Sequence, residues 1–382
     1  MTEAKTSPMP GVVIHGTTDP RFGSVRDAFA ANFTNGLEVG ASFAAAAGGR
    51  IVVDLWAGFA DRQRRRPWER DTLVCVWSTT KVMTALCAWM LAARGTLDLD
   101  APVARYWPEF ASQGKDDMPV RFLLAHSSGL AGWQTPIEMG DLYDWERSTS
   151  LLAQQAPWWE PGSASGYHAV TFGHLIGELV RRTTGRSLGR FFRDEVSGPL
   201  GADFHIGLGA EHEPRVGEMV APTEPPDAMT DFMKTIMSNP RGWSPGVSRD
   251  RAYRAAEVPG ANGHGNARAV ARIAAALAAG GAIEGMRLLP GRFFDAVLEE
   301  QTYGTDLVLG LPVRWGLGVG LPSRELPLPN PRSFYWGGWG GSLCLVDLDA
   351  GVACAYVMNR MSHTTMGDRR GLDLVAAVYA AL

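Results

Sequence analysis

Residues 40–58 read GASFAAAAGGRIVVDLWAG. Two strand-like runs flank Gly48-Gly49, and paired glycines accept the positive φ angles that a two-residue hairpin turn demands. The stretch predicts a β-hairpin near the start of the chain. Its counterpart lies at the other end, where WGLGVGL (315–321), FYWGGWGGSLCLVDLD (334–349) and GVACAYVMN (351–359) read as strands, the last two joined by a turn at Asp349-Ala350-Gly351. Between the two ends lies LVCVW (73–77), followed by a helix from Ser78 to about Ala93 that stops at Gly95. Further helical spacing covers 20–34, 99–106, 119–126, 138–154, 169–184, 187–200 and 266–280, and GLDLVAAVYAAL closes the chain with a last helix. Strands at both ends with helices between predict an α/β fold, a sheet domain carrying a mostly helical insertion. The sheet domain is assigned to 1–77 and 225–382, and the helical domain to 78–224.

The composition narrows the partners. With 382 residues, 46% hydrophobic and 20% charged, the chain can bury a sizeable core. A net charge of −4 argues against a nucleic-acid partner. The one basic cluster, Arg62-Gln63-Arg64-Arg65-Arg66, is flanked by Asp61, Glu69 and Asp71 and reads as a solvated turn. Cys75, Cys87, Cys344 and Cys354 show no metal-ligand spacing and read as buried free thiols, which suit a reducing compartment. Glu211-His212-Glu213 is no metal array either, so neither metal nor cofactor is expected. The first residues lack a basic segment followed by an apolar one, and the apolar stretches near 82–93 and 269–281 are too short to cross a bilayer. A cytoplasmic chain with no membrane partner is expected.

Lys81 is unusual among four lysines, because a long apolar run, VMTALCAWMLAA, follows it directly. Ser78 stands three residues earlier, so the two side chains share one helical face. A desolvated lysine beside a serine can take its proton, which is the logic of the Ser-x-x-Lys nucleophile. Spacing alone favours an N-cap serine and a solvated lysine. Ser112-Gln113-Gly114-Lys115 has the same spacing but precedes Asp116 and Asp117, and reads as a surface loop. Gly242-Trp243-Ser244-Pro245-Gly246 matches G-x-S-x-G, yet the residue after that serine must donate an N–H, and Pro245 has none.

The wider context separates these readings. VWSTTKVMTALCAWMLAARGTLDLDAPVARYWPEF, MPVRFLLAHSSGLAGW, WWEPGSASGYHAVTFGHLIGELV and FYWGGWGGSLCLVDLDAGVACAYVMNRM occur in that order. Together they resemble the serine β-lactamase and penicillin-binding-protein superfamily, and within it the family VIII carboxylesterases, from about residue 24 to the C-terminus. The resemblance implies a β-lactamase-like fold, an antiparallel sheet flanked by helices with a mostly helical inserted domain and the active site at their interface. It places the nucleophile at Ser78 and its lysine at Lys81. The second motif falls on Tyr167-His168-Ala169, where Tyr167 would pass protons if a neighbouring cation lowers its pKa, and His168 would tune it. The third falls on Trp336-Gly337-Gly338, followed by Trp339, whose N–H would form an oxyanion hole with that of Ser78. His126 and His264 read as structural, and Trp133, Trp158 and Trp159 as acyl-pocket walls or core.

Two departures from the β-lactamase pattern shape the expectation. No asparagine stands at 169 and no Lys-Thr pair at 336–337. Without those groups the cleft suits neutral esters, and Trp336, Gly337, Gly338, His168 and Trp133 are expected to line it. The reading is therefore a cofactor-free serine carboxylesterase acting on small or short-acyl esters. A β-lactamase or D,D-peptidase-like hydrolase, an amidase, an acyltransferase and a catalytically silent binding protein stay open as alternatives, as do self-assembly and the choice of Lys81 or Tyr167 as resting base.

Overall fold

Gly48 and Gly49 take φ of 56° and 75°, and the first hairpin closes on them in the computed structural model, which describes residues 8–224 and 229–382. In chain order the elements that position the site are β1 (His15–Thr18), α1 (Gly23–Thr34), β2 (Gly40–Ala47), β3 (Arg50–Gly58), α2 (Thr80–Ala93), α3 (Thr171–Thr184), α4 (Asp231–Ser238), α5 (Ala267–Ala278), β4 (Ser333–Gly337), β5 (Leu343–Asp347), β6 (Val352–Met358) and α6 (Arg369–Ala380). The six strands form one antiparallel sheet ordered β1-β3-β2-β6-β5-β4. The two ends of the chain meet at the β2–β6 pair, where Phe43 lies opposite Tyr356. The domain junction expected at residue 225 falls within 225–228, outside the described residues.

Side chains alternate between the faces of a strand, and β2 shows what each face meets. Ser42 Oγ accepts a bond from Ala267 N–H at the start of α5 (3.2 Å). Tyr356, level with Phe43, lies against Gly371 of α6 instead. Helix α5 therefore covers one face, while α6, packed on α1, covers the other. On the α5 side Ala44 and the alanines of the helix are all buried, and such small side chains let helix and sheet approach closely. Helix α2 is buried from Thr80 to Leu91 and packs on α3; it ends at Ala93, and Gly95, two residues on, turns the chain at a φ of 74° that favours glycine.

Some expected elements shorten. The strand expected over 315–321 ends at Trp315, pairing Pro312–Trp315 with Thr302–Thr305, and Gly318 (φ 83°) turns the chain away. The helix expected over 138–154 breaks at Asp144, which is extended and caps the second segment, accepting from Arg147 N–H at 3.0 Å. Among the described residues no helix is long and apolar enough to cross a membrane.

His126, His168, His174 and His264 are buried, and burial lowers all four below the ordinary 6.5, to about 3 for His168 and about 4 for His174 and His264. In the unfolded chain each takes a proton as pH falls below 6.5; in the native chain it does not. Native stability then drops by about 1.4 kcal/mol per pH unit for each histidine. Glu38 opposes this, because burial pushes its carboxyl up to about 7 and the native state holds that proton between pH 7 and 4.5. Glu257 and Asp306, also raised by burial, act with Glu38, and the lowered His212 acts with the other histidines, so five groups against three leave a net loss. The urea midpoint is expected to fall steeply from pH 6.5 to 4.5, and a flat midpoint over that window would contradict the buried neutral histidines.

Candidate active site

Ser78 precedes the α-helix proper. It sits in a 3₁₀ turn, Trp77–Thr79, that Trp77 enters at φ 47°, a strained conformation for a bulky residue. Surrounding bonds hold the turn. Val76 N–H donates to Gly263 O (2.9 Å), Val76 O accepts from Ser342 Oγ (2.8 Å), and the Thr79 and Ser342 hydroxyls meet at 3.0 Å. Gly338 allows this contact between the β4–β5 hairpin and the turn, since a Cβ there would lie 2.3 Å from Val76 O.

Lys81 follows one turn later and is fully buried. Its Nζ lies 3.2 Å from Ser78 Oγ and 2.7 Å from each of two carbonyl oxygens, Ala169 O and Gly260 O. Burial alone drives the lysine pKa well below its ordinary 10.5. A neutral amine has two N–H groups and one lone pair. In that neutral form the two carbonyls would take the N–H groups and leave the lone pair for the Ser78 hydroxyl.

Tyr167 stands on the other side of Ser78. Its ring lies 4.7 Å from Lys81 Nζ, and its hydroxyl oxygen accepts a bond from Trp336 Nε1 at 3.3 Å. The sequence expectation that a cation lowers this phenol is corrected here. Burial dominates and pushes it well above 10, against hydrogen bonds with Ser78 and Trp336 that pull it down. The phenol is protonated at rest.

Trp339 lies on the turn between β4 and β5. Gly340 anchors that turn, its N–H donating to Thr364 O (2.8 Å) and its carbonyl accepting from Ser362 N–H and Arg370 Nη2, both at 2.9 Å. The turn bonds around Ser78 and Trp339 run from Thr79 N–H to Val76 O, Thr80 N–H to Trp77 O and Gly341 N–H to Gly338 O. Neither the Ser78 nor the Trp339 N–H is used in them.

A cleft of about 450 Å³ opens over Ser78, Tyr167 and Trp339. Its wall is largely apolar, built from Met229, Met233, Met237, Met366, Trp243 and the 308–311 segment, with His363, Thr364 and Thr365 adding polar groups. Neither lysine nor arginine lines it among the described residues. The sequence did not point to this wall, because it is assembled from the irregular region around α4, the segment before Trp315 and residues 363–367.

Several expected wall residues lie elsewhere. Trp336 is buried behind Tyr167 rather than on the wall. Gly337 packs on the backbone of Met366-Gly367, and Gly338 on Val76, so both fit segments together and neither lines the cleft. His168 is fully buried between Ser128 Oγ (2.6 Å) and Gly166 O (2.6 Å). Trp133 is buried and donates to Ser148 O (3.0 Å), bordering a separate hollow with Trp158 and Phe232. For Trp336, His168 and Trp133 the reason is shared: a large or polar side chain found a partner in the interior and stayed there, whereas the two glycines are held by close backbone packing.

The two rejected serines are also resolved. Ser244 is exposed and does not line the cleft. Lys115, expected in a surface loop, is instead buried, with Nζ bonded to Ser112 O (2.9 Å) and Gln155 O (2.6 Å). The Ser112 hydroxyl turns away to Ala153 O (2.8 Å), so no Ser–Lys pair forms there. Glu213 is ion-paired with Arg251 and Arg254, and His212 Nδ1 accepts from Arg215.

Residues 29–378 match the Beta-lactamase family. The chain is 36% identical over 380 residues to Esterase/beta-lactamase LipL of Mycobacterium tuberculosis, covering 95% of this chain and 87% of that one. It is 30% identical to Esterase EstB of Burkholderia gladioli, over 90% of this chain and 91% of that one. The crystal structure of a family VIII carboxylesterase superposes with a TM-score of 0.92 at 46% identity, covering 97% of this chain and 100% of the other.

Proposed function

The chain belongs to the beta-lactamase family and is a serine hydrolase, and from that premise we propose that it hydrolyses small uncharged carboxylic esters through an acyl-enzyme on Ser78. One observation carries the reading: a buried, depressed lysine held 3.2 Å from Ser78 Oγ by two carbonyls, beside a cleft lined by neither lysine nor arginine. A cleft without Lys or Arg has no fixed cation to pair with a substrate carboxylate, and its methionines adapt to varied apolar groups.

The steps follow from the resting charges. Neutral Lys81 takes the Ser78 proton as Oγ attacks the ester carbonyl. The N–H groups of Ser78 and Trp339 receive the developing oxyanion. Lys81 is now a cation 4.7 Å from the Tyr167 ring, and that charge favours ionisation of the phenol at the step where a proton is needed. Tyr167 gives its proton to the departing alkoxide, and the C–O bond breaks to leave the acyl-enzyme. The Tyr167 phenolate then takes a proton from water, the hydroxide attacks the acyl carbon, and Lys81 returns its proton to Ser78 as the acid leaves. Proton count and charge are restored.

A fluorophosphonate should form one covalent adduct, located by mass spectrometry on the peptide carrying Ser78. An adduct on Ser244, or none at all, would overturn the reading.

A further inference from the structure

Asp306 is a buried carboxylate in direct contact with the backbone of Tyr167, and the chemistry proposed above does not use it. Its side chain is fully enclosed. Oδ1 accepts three backbone N–H groups, from Tyr167 (2.8 Å), Val308 (3.0 Å) and Leu309 (2.9 Å). Oδ2 accepts from Trp315 Nε1 at 3.2 Å. The indole of Trp315 in turn lies nearly parallel to the Tyr167 ring, at 9° with centroids 6.1 Å apart. All four of these contacts are neutral N–H donors, so the buried charge is satisfied entirely by groups whose positions it fixes.

The arrangement reaches the cleft by two routes. Through Tyr167 N–H the carboxylate sets the backbone from which the phenol projects between Lys81 and Trp336. Through Val308 and Leu309 it closes the loop that forms one lip of the same cleft, a loop completed by bonds from Asp306 N–H to Leu311 O (3.0 Å) and Gly310 N–H to Asp306 O (2.8 Å). Trp315 adds a third restraint, because Oδ2 holds its indole N–H and its ring stacks parallel to the phenol. We infer that Asp306 is a positioning residue for leaving-group protonation: it holds the Tyr167 hydroxyl in line with the Ser78 oxygen and the departing alkoxide. The inference rests on the reading of Tyr167 as the acid.

Two esters with the same acyl group separate this role from a merely structural one. p-Nitrophenyl butyrate expels an anion that needs no proton, whereas ethyl butyrate expels one that does. The ratio of kcat/KM for the two does not depend on how much of a variant is folded. In Asp306→Asn the amide oxygen can keep the three backbone N–H groups, but the amide NH₂ then faces the Trp315 N–H, donor against donor. Expected is a loss of about 100-fold on the ethyl ester with less than about 10-fold on the p-nitrophenyl ester. Asp306→Asn combined with Trp315→Phe removes the opposed donor, and the ratio should return to within about 3-fold of the parent, the precision of a double-mutant comparison of adjacent groups. An equal loss on both esters, or a shifted ratio that the double variant does not reverse, overturns the inference. Tyr167→Phe is the control. If it shifts the ratio and Asp306→Asn does not, Asp306 alone has been misread; if Tyr167→Phe leaves the ratio unchanged, the acid role of Tyr167 fails and the inference fails with it.

Discussion

Ser78→Ala is expected to lower kcat/KM for p-nitrophenyl butyrate by at least about 10⁴-fold, since removing the nucleophile of an acyl-transfer site leaves only binding and oxyanion stabilisation. The threonine hydroxyls next to it in the chain cannot replace it. The Thr79 hydroxyl is turned to Ser342, and the Thr80 hydroxyl donates to Trp77 O (2.5 Å). Ser244→Ala should stay within about twofold, because an exposed serine outside the cleft touches nothing the reaction uses. Steady-state kinetics on both variants, with circular dichroism to confirm folding, decide the matter. Retention of more than about one hundredth of the activity by Ser78→Ala would remove the nucleophile assignment; loss in Ser244→Ala instead would move it.

What could be read from the sequence and what could not divides along physical lines. The Gly48-Gly49 hairpin was legible because turn chemistry is local: two adjacent residues able to take positive φ decide it. The Ser78 and Lys81 spacing was local too, but it also fits a capping serine and a solvated lysine, and the ordered likeness of the surrounding segments decided between them. Tyr167 and Trp339 had no local signal, and only the ordered likeness of the surrounding segments singled them out. Burial was the weak point. Lys115 sits among Gly114, Asp116 and Asp117 and looks exposed, yet two carbonyls draw it inside. Trp133 and Trp336 look like walls of a cleft, yet an indole whose N–H finds a partner in the core stays there. The direction of the Tyr167 shift failed on the same ground, since neighbours suggest a lowered pKa and enclosure raises it. Asp306 was passed over entirely: an acidic residue in a loop carries no mark in the sequence that four N–H groups will converge on it.

Lys81→Arg should be nearly as damaging as loss of the serine, by about 10³-fold or more in kcat/KM, and the reason lies in the proton rather than the charge. A guanidinium cannot give up its proton in a protein, so it cannot accept one from Ser78. Wild-type kcat/KM should rise with pH along a single ionisation and then level off. The rise belongs to Lys81, which must be neutral to act, and burial places its midpoint well below the ordinary 10.5. The plateau should extend through mild alkali, because the Tyr167 phenol that must stay protonated has been pushed well above 10. Lys81→Met removes the base without leaving a charge, and it should show a loss of the same order, at the upper end of what a general base contributes. In neither variant should the ascending limb survive, since the group that titrates there is gone. A resting Tyr167 phenolate predicts the opposite: a midpoint at or above 10 in the wild type, with the limb lost in Tyr167→Phe and retained in Lys81→Met. The pH profiles of these variants, measured with one activated ester, distinguish the two bases, and a retained limb in Lys81→Met would reverse the order of proton transfers proposed for Lys81 and Tyr167.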